Sequence, residues 1–112
     1  MKIVASHQLD PAAVDYLKKQ GFVLYVANSP NPSSYIDQLK TADAFILRVG
    51  VCDSSIIEQC SHLKVIGRTG VGYDNVDVSY ATKHGIPVVI TPGANSRSVA
   101  EHALALMFAC AK

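Results

Sequence analysis

An α/β fold built on a five-stranded parallel sheet is what this sequence predicts, and three observations predict it. Short β-type runs alternate with helical runs along the whole chain. Helix-start signals (Asp10-Pro11 and Asp53) and helix-stop glycines (Gly21 and Gly85) fall between those runs. No internal repeat or low-complexity tract interrupts the alternation, which belongs to successive β-α units with helices on both faces of the sheet.

The elements follow in order. Lys2 to Ser6 reads as the first strand. Asp10 then caps a helix with Pro11 at its first position, where a proline's absent N–H costs nothing. Ala13, Val14 and Leu17 give that helix its apolar face, and Gly21 ends it. Phe22 to Ala27 is a second strand. Asn28-Ser29-Pro30-Asn31-Pro32-Ser33 is a turn-rich loop leading to a short helix around Ser34 to Lys40. Ala44 to Arg48 is a third strand, and Asp53 caps a helix over Ser54 to Cys60. Leu63 to Gly67 is a fourth strand, followed by the glycine-rich turn Gly70-Val71-Gly72-Tyr73-Asp74-Asn75. A helix near Val78 to His84 ends at Gly85, and Pro87 to Ile90 is the fifth strand. Thr91-Pro92-Gly93-Ala94 turns the chain into a long final helix, Ser96 to Lys112. That helix is apolar nearly all round, from Val99 and Ala100 through Ala103 to Ala109, a pattern that belongs inside a protein. The strand order expected at this size is the flavodoxin-like 2-1-3-4-5 with right-handed crossovers.

Composition bounds the partners. The 112 residues form one domain, and 49% hydrophobic against 17% charged residues excludes a disordered chain. Ten basic and nine acidic residues leave a net charge of +1 with no basic run, so nucleic acid is not an expected partner. Three cysteines without a C-x-x-C pair argue against a disulfide scaffold or zinc ribbon and fit a reducing cytoplasm. The four histidines lack ligand spacing, and no metal site is expected. The opening MKIVAS is too brief for a signal peptide, and the apolar run Ala103 to Ala111 is far shorter than the roughly 20 residues that span a bilayer.

Ligands of such sheets sit beyond the carboxyl ends of the strands. The loops that matter are therefore those near Ser6, near Arg48, from Arg68 to Asn75 and from Thr91 to Ser98. Gly70 to Asn75 begins like G-x-G-x-x-G but ends in Asn, and no ribose-binding acid follows, so it is not a dinucleotide fingerprint. Its two glycines let backbone N–H groups turn toward a carboxylate, or they simply take up positive φ in a turn. Arg48 either pairs with an anionic substrate group or ends its strand in solvent. Asp74 and Asp77 fix the turn or cap the helix behind it. Glu101 and His102 project about 100° apart and make no dyad. Ser96 and Ser98 lack triad partners, and Cys52 reads as a small buried hydrophobe. No catalytic residue is assigned.

Leu63 to Phe108 carries two motifs, GVGYDNVD and TPGANSRSVAEHALALM, whose sequence and separation resemble the D-isomer-specific 2-hydroxyacid dehydrogenases, above all the 3-phosphoglycerate dehydrogenase branch. The resemblance implies that residues 1–95 are a substrate half-domain and that 96–112 are a connector toward an NAD-binding Rossmann domain lying beyond Lys112. It implies substrate contacts at Arg48, Val71, Gly72 and Asn95, and approach of the nicotinamide to Val71 and Val99. It implies NAD as cofactor of the whole enzyme and a small 2-hydroxy or 2-keto acid as substrate. The family's G-x-G-x-x-G and its catalytic arginine, glutamate and histidine have no counterpart here, so these residues by themselves are expected to be inactive. Two departures, Arg48-Val49-Gly50-Val51 where the phosphoglycerate branch reads Arg-Ser-x-Thr, and Ile90 before Thr91-Pro92-Gly93, leave the particular acid open. The apolar final helix is expected to pair isolated chains as a homodimer. The rival class is a stand-alone flavodoxin-like binding or regulatory domain. A phospho-receiver is excluded, because Ser6-His7, Arg48 and Thr91-Pro92 stand where its acids and lysine belong.

Overall fold

The computed structural model describes residues 1–111. Five parallel strands, β1 (Lys2–Ala5), β2 (Val23–Val26), β3 (Ala44–Leu47), β4 (Val65–Arg68) and β5 (Val88–Ile90), pair in the order β2-β1-β3-β4-β5. The helices are α1 (Pro11–Lys19), α2 (Ile36–Leu39), α3 (Ser54–Glu58), α4 (Val78–Lys83) and α5 (Ser96–Cys110). Element types and strand order are those the sequence predicts, with ends displaced by a residue or two. The helix expected from Ser34 is a 3-10 turn at Pro32–Ser34 followed by a single turn of α-helix. The expected last residue of the final helix, Lys112, lies outside the described residues.

The predicted caps are in place. Asp10, Asp53 and Asp77 accept hydrogen bonds from the backbone N–H groups of Ala12, Ile56 and Tyr80, at 2.8, 3.1 and 2.9 Å. Each satisfies one orphan donor at the head of α1, α3 or α4. Asp77 is therefore a structural cap.

Strand register explains the core. Tyr25, Val4, Phe45, Ile66 and Val88 are successive cross-strand partners and form one apolar row across the whole sheet. Tyr35, Leu39, Ile56, Ile57 and Ala81 close over that row. Tyr35 stacks on Phe45 at a tilt, with ring centroids 5.3 Å apart. Right-handed crossovers put α1 on the opposite face, because β1 to β2 runs the other way along the sheet. There the row Val26, Ala5, Ile46, Gly67, Val89 opens progressively: Ala5 is fully buried, whereas Val89 is 53% exposed.

Coverage of both faces is thus uneven, which corrects the expectation of a fully covered sheet. Val14 and Leu17 of α1 are half-buried over β1 and β2, and Ala13 is exposed. α5, the fifth helix, does not lie on this face, and every residue from Thr91 to Ala111 is exposed. Its 15 residues extend about 22 Å. The Cα radius of gyration is 16.2 Å, against the roughly 13 Å of a compact chain of this length. Val99, Leu104, Leu106, Met107 and Phe108 are each more than half exposed. The expectation that these side chains would be buried fails within this chain, because α5 stands away from the open face of the sheet. No helix among the described residues is long and apolar enough to cross a membrane.

Candidate functional site

The carboxyl ends of the strands are knitted into one edge by backbone hydrogen bonds that continue the sheet ladder. Ser6 N–H donates to the Ile46 carbonyl at 2.9 Å, and Thr69 N–H to the Leu47 carbonyl at 2.9 Å. Thr91 N–H donates to the Gly70 carbonyl at 2.9 Å, so the loop before α5 is tied to the glycine-rich turn. Cys52 N–H donates to the Asn75 carbonyl at 2.8 Å, and the Asn75 side-chain amide donates to the Gly50 carbonyl at 2.8 Å. Loops far apart in sequence are therefore held at fixed distances beside one another.

Above this edge lies an open cleft of about 400 Å³. Its walls include His7 and Asp10 after β1, Arg48 after β3, Thr69 and Gly70 after β4, and Asn95 at the head of α5. Of the residues assigned from sequence, Arg48 and Asn95 meet in this cleft. Val71 and Gly72 follow directly on Gly70 but stand in solvent outside the cleft wall. Val99 is 57% exposed on the first turn of α5 and donates its N–H to the Asn95 carbonyl at 2.9 Å. The Asn95 side chain makes no capping bond to α5, so its carboxamide is free to face the cleft.

The two glycines differ in kind. Gly70 has φ +149° and an added Cβ would run into the Arg68 guanidinium, which is itself bonded to the Thr69 carbonyl. Gly72 does not have positive φ, and an added Cβ would meet only Asp74 Oδ1 at 3.4 Å. Conformation favours glycine at 70, whereas at 72 the backbone conformation does not require it.

His7 is the residue that sequence reasoning passed over. It was one of four scattered histidines; its sole signal was its position directly after the first strand. Burial first, and then the charge of neighbouring Arg48, hold its imidazole below the ordinary value of 6.5. The fully buried Ser6 hydroxyl lies 3.4 Å from His7 Nδ1, from Arg48 N and from the Val49 carbonyl, so one side chain joins the two loops. Asp10 lines the same cleft but spends its carboxylate on the head of α1.

The remaining candidates do not line the cleft. Glu101 pairs with Arg97 at 2.9 Å on the exposed face of α5, and His102 is exposed. Burial, followed by the charges of Cys60 and Asp53, pushes the Cys52 thiol up to about 12, as suits a buried hydrophobe. No cluster of three metal-capable side chains occurs among the described residues.

A doubly wound parallel sheet with an arginine-bearing cleft at its carboxyl edge defines the class: an α/β domain of the kind whose ligand sites lie beyond the strand ends. The family is narrower. Residues 3–110 match the catalytic domain of the D-isomer specific 2-hydroxyacid dehydrogenases, and the chain belongs to that family. It is 38% identical to the D-3-phosphoglycerate dehydrogenase of Archaeoglobus fulgidus over its whole length, which is 21% of that protein. A crystal structure of a Thermus thermophilus protein superposes with a TM-score of 0.89 at 28% identity, covering 97% of this chain and 36% of the other. The NAD+-bound 3-phosphoglycerate dehydrogenase of Entamoeba histolytica superposes with a TM-score of 0.82 at 32% identity, covering 96% and 38%. The chain spans about a fifth of the length of the curated relatives it matches.

Proposed function

We propose that this chain is the N-terminal part of an NAD-dependent oxidoreductase acting on the CH–OH group of a D-2-hydroxy acid, and that the chain alone does not turn over. The observation that carries this is the cleft at the carboxyl edge, where Arg48 and Asn95 converge beside the Gly70 turn. In this reading the backbone N–H groups at Val71 and Gly72 receive the substrate carboxylate, since both residues are exposed and Gly72 has no side chain to hinder approach. Arg48 supplies fixed positive charge, and Asn95 a neutral donor and acceptor. The relatives named as D-3-phosphoglycerate dehydrogenases make 3-phosphoglycerate the first acid to try.

The residues fit one end of the cofactor only. Val71 and Val99 are exposed apolar side chains suited to the face of a nicotinamide ring. The head of the helix after the glycine turn offers the dinucleotide phosphates no seat, because Asp77 already occupies it. When bound, the nicotinamide supplies or accepts hydride; this chain's own residues bind and orient the acid. Residues 1–95 form the substrate half-domain. The helix from Ser96 is a connector, and its five large exposed apolar side chains match a helix made to be covered. Alone in solution, two chains cover those side chains by pairing as a homodimer, and light scattering giving a monomer at high concentration refutes that part. Free thiols at Cys52, Cys60 and Cys110 fit the cytoplasm.

The test compares NADH oxidation with 2-keto acids by the 112 residues and by the complete reading frame that contains them. The expected result is turnover only by the latter, abolished or severely weakened by Arg48→Gln. A frame without a G-x-G-x-x-G-bearing βαβ unit after Lys112 overturns the enzyme reading. A second reading, a stand-alone small-molecule binding domain, draws on the cleft that Arg48 and Asn95 line. Tight 2-keto acid binding without cofactor favours it.

A further inference from the structure

We propose that His7 is the titratable half of an anion clamp whose permanent half is Arg48, so that an acid entering the cleft brings a proton onto the imidazole. The proposal rests on the cleft being the acid-binding site. His7 and Arg48 line the same cavity, from loops joined through the buried Ser6 hydroxyl. That hydroxyl has one proton. When the proton points to the Val49 carbonyl, the oxygen accepts from Arg48 N–H and from Nδ1–H of His7. The lone pair is then on Nε2, the nitrogen not engaged by Ser6, and protonation there leaves the Ser6 contacts intact.

The surrounding charges set the direction. Arg48 faces His7 from the end of β3, and Asp10 from the head of α1, where its carboxylate is engaged with Ala12 N–H. The cleft residues after β4 and β5 (Thr69, Gly70, Thr91, Ala94 and Asn95) carry no titratable side chain. Neither do Ala27, Asn28, Ser29 and Pro30, which with His7 bound a second cavity of about 290 Å³ on the β2 side. Before an acid binds, partial burial and Arg48 therefore both disfavour the imidazolium form of His7. An anion against Arg48 offsets that repulsion and gives the imidazolium a partner.

Linkage makes this measurable. An acid that raises the His7 pKa must bind more weakly as pH rises between the free and bound values, by up to tenfold per pH unit. Arg48 alone gives no such slope, because it stays charged throughout. Two positive groups also favour a dianion over a monoanion, increasingly at lower pH.

The experiment follows the His7 ring by NMR in the 112-residue chain, across pH 5.5 to 8, without ligand and with pyruvate or 2-oxoglutarate at millimolar concentrations. The His7→Gln chain assigns the resonance and provides the control for affinity. Expected are a rise of about one unit or more in the His7 pKa with 2-oxoglutarate, a smaller rise with pyruvate, and a pH-dependent Kd that becomes flat in His7→Gln. Shifts around Gly70 to Gly72 and Arg48 with an unmoved His7 pKa overturn the clamp and leave the acid-binding site standing. Unperturbed cleft resonances with both probes overturn the clamp and the site together. A purely structural role for His7 predicts altered stability in His7→Gln with the slope of Kd against pH unchanged, and that outcome too refutes the proposal.

Discussion

Replacing Gly70 by alanine, with Gly72→Ala as its control two residues away, separates conformational demand from ligand access within one loop. At Gly70 the φ of +149° belongs to backbone that an L-residue enters at a cost on the order of 1–3 kcal/mol. The new methyl also displaces the Arg68 guanidinium from the Thr69 carbonyl and from Asn75 Oδ1. A central cost of about 2 kcal/mol lowers Tm by roughly 8–16 °C, since a small domain loses about 4–8 °C per kcal/mol. At Gly72 the φ is not positive and the nearest atom to a Cβ is Asp74 Oδ1 at 3.4 Å, so stability stays within about 0.5 kcal/mol of the parent. The methyl there stands in the path of a carboxylate approaching the backbone, so acid binding weakens. Thermal unfolding followed by circular dichroism and 2-oxoglutarate titration by NMR read the two effects. A Gly70→Ala chain as stable as the parent, or a Gly72→Ala chain that loses more, would show that this account of the loop is wrong.

Three further outcomes follow from particular side chains. The hydrogen bond from Lys64 Nζ (2.7 Å) first, and then that from Lys2 N–H (2.8 Å), hold the Asp43 carboxyl below its ordinary 3.8. Its contribution is therefore complete above pH 3.8 and lost as pH falls through the depressed value. Asp43→Asn should destabilise at pH 7 and converge on the parent in acid; urea midpoints that stay separated at the lowest pH refute this. Cys52 and Cys60 are buried and Cys110 is exposed, so a thiol reagent should modify one cysteine in the native chain and three in denaturant; two fast native thiols count against the packing described. The Tyr35 hydroxyl is buried with no hydrogen-bond partner among the described residues, and burial pushes its ionisation up to about 12. Tyr35→Phe should consequently leave stability unchanged or raise it by about 1–3 kcal/mol, the cost of an unmade buried hydrogen bond, and a clear loss in chemical denaturation contradicts this.

Much of the architecture was legible in the chain because it is local. The caps at Asp10, Asp53 and Asp77 bond only two or three residues ahead, and strand and helix periodicities lie within single elements. Right-handed crossovers then leave few orders for five parallel strands. Parts of the cleft were legible for the same reason: Arg48 and Asn95 stand at element boundaries, where chain direction alone brings them to the carboxyl edge. Val71 and Gly72 carry a motif, but which side of the cleft wall they occupy is not written in it.

What the tertiary structure decided depends on register. Parallel pairing of Ala5 with Ile46 sets the ends of β1 and β3 side by side. Only that pairing brings Ser6 within 3.4 Å of Arg48, 42 positions away, and turns one histidine among four into a cleft residue. It also decided which face of the sheet is closed, since the same pairings that bury Phe45 and Ile66 leave Val89 in the open. The sequence by itself determined that a helix follows β5. Whether the helix lies on its own sheet or stands away from it depends on contacts between distant surfaces, and here it stands away.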